Sequence, residues 1–124
     1  MPIVFGVALG GALGASARYG LDRFIEQRVS AAFPWATFTI NVTGCFVIGL
    51  LTATIVERQH LPAWVRVGLV VGVIGGYTTF STFAQEAFEL GEVHQAATAF
   101  AYVAASVLVG IAAVYAGTLA GRAL

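Results

Sequence analysis

Charge is what this sequence has least of: aspartate, glutamate, lysine and arginine make up 10% of it, and lysine is absent. A soluble domain carries about a quarter charged residues. Too little polar surface remains to cover a soluble globule, so lipid is the expected solvent. No basic cluster is present, which argues against a nucleic-acid partner. The single cysteine, Cys45, sits in an apolar stretch. It has no partner for an intrachain disulfide and reads as a small packing residue. No His/Cys/Asp/Glu cluster has metal-ligand spacing. Ser81 has no base near it in sequence, since His60 and His94 fall at span ends, so an intramembrane enzyme is not expected.

The chain is 59% hydrophobic over 124 residues. Each membrane-spanning helix takes about 20 mostly apolar residues. The sequence therefore predicts an all-α membrane protein, a single four-helix transmembrane domain over 1–124. The first helix is expected from Ile3 to Arg28, with Arg18, Asp22 and Glu26 at i,i+4 spacing on one face. The second is expected from Thr37 to Val56, ending at Glu57-Arg58, with Trp35 as an interfacial anchor and a loop at His60-Leu61-Pro62. The third is expected from Ala63 to Leu90 and the fourth from Val93 to Ala120. Ile3–Leu13 followed by Ala15-Ser16-Ala17 has the outline of a signal peptide, but no basic residue precedes the apolar run, so a retained helix is expected. Asn41-Val42-Thr43 matches a glycosylation sequon inside an apolar span, where no glycan could be attached. Gly6, Gly10 and Gly14, then Gly68, Gly72 and Gly76, then Gly117 and Gly121, recur at i+4. Small residues at that spacing let helices approach closely in lipid.

Residues 75–83 read Gly75-Gly76-Tyr77-Thr78-Thr79-Phe80-Ser81-Thr82-Phe83, near the centre of the third span. This composition suits a continuous helix poorly. Two readings stand. The hydroxyls bond back to their own helix and the segment is a kink, or the helix is broken near mid-membrane and its freed carbonyls line an ion site. Phe80 and Phe83 share a helical face, and an aromatic ring edge is weakly positive. Asn41, the chain's one asparagine, falls mid-span, as an ion donor or as interhelical glue. Tyr102 and Ser106 lie one turn apart and extend a hydroxyl track, while Glu86, one turn past Thr82, is expected to face a wetter vestibule.

With alternating spans, Arg18, Arg23 and Arg28 fall on one side and Arg58, Arg66 and Arg122 on the other. Orientation follows the Lys and Arg bias. Three against three is no bias, so insertion both ways up and an antiparallel homodimer are open, alongside a fixed orientation set by other determinants. One such chain is too small to enclose a pore, so transport would imply an oligomer. A small multidrug-type transporter would need a carboxylate in the middle of the first, second or fourth span, and none is there. A structural membrane protein without transport is the other alternative.

Three motifs in order resemble the Fluc (CrcB) family of microbial fluoride channels. They are Gly10-Gly11 through Gly14-Ala15 to Arg18-Tyr19, then Thr39-Ile40-Asn41-Val42 with Gly44, then the run Gly75–Phe83. The last is the most specific, because a double glycine followed by T-T-F-S-T-F is rare by chance. The resemblance spans the whole chain. It implies passive fluoride export by an antiparallel, dual-topology homodimer with two pores, in the inner (plasma) membrane of a cell. It implies a structural Na+ at the dimer centre on the main-chain carbonyls of Gly75 and Thr78. It implies a fluoride path along Asn41, Phe80, Ser81, Thr82, Phe83, Tyr102 and Ser106, with Arg18 and Glu86 in the vestibules. Continuing the track by helical turns reaches Gly110 and Val114, which offer no side-chain donor.

Overall fold

The three prolines of the chain each stand immediately before a helix, at Pro2, Pro34 and Pro62. A helix start has no intrahelical use for the N–H that proline lacks, so the residue costs nothing there and stops the preceding segment. A computed structural model describes residues 2–57 and 61–124 of the chain. Arg58 and His60, named above in the charge count and the second loop, lie outside the described residues.

The described residues form helices joined by short turns. Helix α1 is Ile3–Glu26 and α2 is Trp35–Val56, the last turn of which, Thr52–Val56, is widened to π-type bonding. Helix α3 covers residues 63–77: an α-helical start at Ala63–Val67, π-type turns over Gly68–Ile74 and a final turn at Gly75–Tyr77. Helix α4 is Phe80–Glu92 and α5 is Ala96–Ala123. Four helical stretches are long and apolar enough to cross a membrane: Ile3–Glu26, Trp35–Val56, Ala63–Glu92 and Ala96–Ala123. The first ends two residues earlier than expected and the last begins three residues later. Both differences lie at helix ends, where apolar periodicity stops informing the boundary.

Glycines set the packing. Gly6, Gly10 and Gly14 of α1 lie against the carbonyls of Trp64, Gly68 and Val73, and Gly72 and Gly76 lie in turn against those of Val7 and Gly11. On the other side of the bundle, Gly49 of α2 faces the Val114 carbonyl, and Gly117 and Gly121 of α5 face those of Phe46 and Leu50. So α1 pairs with α3 and α2 pairs with α5, backbone against backbone, as the i+4 glycine spacing predicts.

Helix α4 turns into α5 through residues 93–95. His94 adopts φ 61°, a left-handed conformation usually taken by glycine, and the Gln95 N–H donates to the Leu90 carbonyl at 2.9 Å. That bond closes a Schellman-type helix end. Histidine occupies the position although glycine would fit it better. The largest fully buried side chains are Tyr102, Ile40 and Thr37, which bring α2 and α5 together beside α4.

Candidate functional site

Between Tyr77 and Phe80 the chain leaves helical geometry for two residues. Thr78 is extended at φ −82°, ψ 159°, and Thr79 at φ −149°, ψ 117°. Thr78 bonds back to its own helix, its N–H and its hydroxyl both donating to the Ile74 carbonyl, at 3.0 and 2.9 Å. Back-bonding and the extended residues therefore occur together, where the sequence left them as alternatives.

Asn41 of α2 splints the extended residues. Its Nδ2 donates to the Thr79 carbonyl at 3.0 Å, and its Oδ1 accepts from the Thr79 N–H at 2.9 Å. The amide thus pairs with both backbone polar groups of Thr79, as a neighbouring strand would. Thr79 also caps α4: its Oγ1 accepts from the Thr82 N–H at 3.3 Å and donates to the Thr82 Oγ1 at 3.0 Å. In an unbroken helix the Thr79 N–H would bond the Gly75 carbonyl, and the Thr82 N–H would bond the Thr78 carbonyl. Both donors are diverted, so Gly75 and Thr78 lose their helical partners. The Gly76 carbonyl accepts instead from Arg18 Nε at 3.2 Å. Tyr77 is tied to α2 through a 2.8 Å hydroxyl pair with Thr43.

Two cavities flank the extended residues, with Thr79 common to both. One, of about 270 Å³, is lined by Asn41, Cys45, Ile74, Thr78 and Phe80. The other, of about 200 Å³, is lined by Arg18, Asp22, Thr37, Thr79 and Thr82. Arg18 therefore faces hydroxyls at the start of α4, where the helix dipole is positive.

A third cluster lies further along α4. Glu86 is half-buried, and each of its oxygens accepts one hydroxyl. Thr37 donates to Oε1 at 2.7 Å and Tyr102 donates to Oε2 at 2.6 Å. The Tyr102 ring meets the Phe83 ring edge-on at 5.1 Å, and Phe83 lies 5.8 Å from Phe80. Phe80 itself is 80% exposed on the single chain, and Ser81 beside it is exposed. Ser106 places a buried Oγ with no hydrogen-bond partner among the described residues. Gly110, next along that line, packs near Cys45.

The predicted residues thus fall into connected groups: Asn41, Thr78 and Phe80; Arg18 and Thr82; Phe83, Tyr102 and Glu86. Ser81 and Ser106 stand apart from these bonds. Sequence reasoning did not single out Thr37, which lies one helical turn before Asn41 on the same face of α2. That i+4 relation to the one asparagine was the available signal. It also missed Thr79 as the residue whose backbone Asn41 holds.

Comparison with known proteins gives one family. Residues 5–118 match the family model described as CrcB-like protein, Camphor Resistance (CrcB). Similar curated proteins include a fluoride-specific ion channel FluC of Acidobacterium capsulatum, 47% identical over 94% of this chain and 93% of its own length. Those of Paracoccus denitrificans and Rhizobium meliloti, under the same name, are 45% and 44% identical, each over 95% of this chain and over 93% and 94% of their own lengths.

Proposed function

The chain belongs to the CrcB family, and from that membership we propose that it is a fluoride-specific ion channel giving passive fluoride export. It is a multi-pass membrane protein and a channel rather than an enzyme. The observation that carries the reading is the similarity along nearly the whole chain to proteins named for that activity. We place it in the inner (plasma) membrane, where HF, a weak acid, enters cells and dissociates near neutral pH. Fluoride is then trapped inside, and a channel suffices to drain it.

The site chemistry supports the reading. Fluoride is small and a strong hydrogen-bond acceptor, so selectivity over chloride follows from narrowness and short-range donors. Arg18 lines a cavity with Asp22, Thr79 and Thr82 and offers a cationic donor to an entering anion. Asn41 has two amide hydrogens and spends one on the Thr79 carbonyl, which leaves the second for an ion. Phe80 and Phe83 offer ring edges, and the hydroxyls of Ser81, Thr82, Tyr102 and Ser106 provide a polar track. Glu86 stands in a vestibule at its far end.

The assembly we propose is an antiparallel homodimer. A single chain leaves Phe80 exposed, and an inverted second copy would cover the extended residues with the same residues of its own. The balanced arginines suit insertion in both orientations. A structural Na+ at the dimer centre would sit on the Gly75 and Thr78 carbonyls. Their diverted helical donors make them fit that role, since a hard cation takes neutral oxygen ligands.

Fluoride efflux from liposomes holding purified protein, with a chloride control, tests the function. Fluoride flux far above chloride flux is expected. No fluoride flux, or equal flux of both ions, refutes it.

A further inference from the structure

Arg18 continues the glycine row of α1. Gly6, Gly10, Gly14 and Arg18 are spaced by four and share one helical face. The glycines lie against the backbone of α3, with Gly14 beside the Val73 carbonyl and the Tyr77 nitrogen. One turn further along α1, the partner helix stops at Tyr77, and a long polar side chain stands where close approach is no longer needed. Arg18 is half-buried there and donates from Nε to the Gly76 carbonyl at 3.2 Å, across 58 positions of sequence. A helix leaves its last carbonyls without partners and its C-terminus negative, so this bond caps α3 from a neighbouring helix.

The two glycines before the extended residues have opposite surroundings. A Cβ added at Gly76 would meet the Gly11 carbonyl and the Ala15 nitrogen, so Gly76 is pinned between α1 and the Arg18 side chain. A Cβ added at Gly75 would meet nothing within 4 Å, and Gly75 is exposed. The two carbonyls belong to successive peptides joined at one Cα, so fixing the second limits how the first can turn. The bond also occupies the Gly76 oxygen with a cation. A guanidinium and a metal ion repel each other and do not share one oxygen, which leaves Gly75 and not Gly76 as a ligand.

We propose that Arg18 is a positioning residue for the cation site. Its bond to Gly76 holds the end of α3 so that the Gly75 and Thr78 carbonyls stay turned toward Na+. This role rests on the Na+ site proposed above and deepens it. Only Nε is used, so the terminal nitrogens of the guanidinium remain with the cavity. Arg18 has two opposed effects on a cation nearby. Its charge repels the ion, and its hydrogen bond orders the ligands. Asp22, which lines the same cavity, offsets the charge, so the ordering prevails.

Two variants separate the donor from the charge. Glutamine Nε2 lies as many bonds from Cα as arginine Nε, so Arg18→Gln keeps a donor at the same reach without the charge. Arg18→Met has that reach with neither. Protein purified in N-methylglucammonium chloride is titrated with NaCl at constant chloride. The fluorescence of Trp35 and Trp64 reports thermal unfolding, and the Na+ concentration giving half of the stabilisation is read. Expected is a requirement for roughly fivefold more Na+ in Arg18→Met, the loss of one hydrogen bond, and a value within about twofold of the parent in Arg18→Gln. Arg18→Leu replaces the methionine variant should that fail to fold. The same Na+ requirement in parent and both variants, whatever the fall in melting temperature, marks a structural cap only and overturns the positioning role. Tighter Na+ in the methionine variant, or equal loosening in both, overturns it as well. A parent that Na+ stabilises no more than N-methylglucammonium is a separate result, which refutes the cation site itself.

Discussion

Helices α3 and α4 are consecutive pieces of one apolar stretch, yet they are held by different chemistry. Helix α3 packs on α1 through bare backbone: glycine faces carbonyl along the seam, with Arg18 closing its end on Gly76. Helix α4 packs toward α5 and α2 through functional groups: the Glu86 carboxylate, the Thr37 and Tyr102 hydroxyls, and the rings of Phe83 and Tyr102. In lipid there is little hydrophobic gain from bringing helices together, so an interface needs either close packing or polar bonds. This span uses each in turn and changes from one to the other at Thr78 and Thr79. The first half is a structural seam. The second half carries groups of the proposed fluoride path.

The largest effect should come from spoiling the seam. At Gly10 an added Cβ would meet the Gly68 carbonyl and the Val73 nitrogen, which are backbone and have little room to yield. Gly10→Leu is expected to destabilise by about 3 kcal/mol and to lower folded yield in detergent, measured by thermal unfolding with size-exclusion chromatography. A variant as stable as the parent would show that the seam tolerates separation. The next effect lies at the junction. Asn41→Leu leaves both backbone polar groups of Thr79 without their α2 partner. The expected cost is about 1–2 kcal/mol, with fluoride flux reduced at least tenfold. Full flux would show that the peptide pairing is dispensable. The smallest effect belongs to the far end of α4. His94→Gly relieves a left-handed residue and should raise stability by about 1 kcal/mol with flux unchanged. A destabilised variant would show that the His94 side chain contributes more than its backbone costs.

The sequence carried much of this difference, and for identifiable reasons. Glycine at i+4 is a direct image of a close helix pair, so the α1–α3 and α5 faces were legible. Apolar length placed the four spans, and the glycine-threonine run marked the place where the helix gives way. The polar pairings were not legible. Asn41 and Thr79 are 38 positions apart, and Thr37 and Glu86 are 49 apart. No local period relates such residues, so an amide in mid-span pointed to a role without naming its partner. Phe33 was invisible for a similar reason: nothing local relates it to Tyr102, whose ring it meets edge-on.

The turn at residues 93–95 has a mechanical consequence. Helices α4 and α5 are tied there by the chain itself and again by the 2.6 Å bond from Tyr102 to Glu86. Two ties separated along their length make the pair one beam. The glycine seam makes α1 and α3 another. Between the two pairs, along the third span, lies one short joint. That joint is Thr78 and Thr79, with the Asn41 amide as its brace.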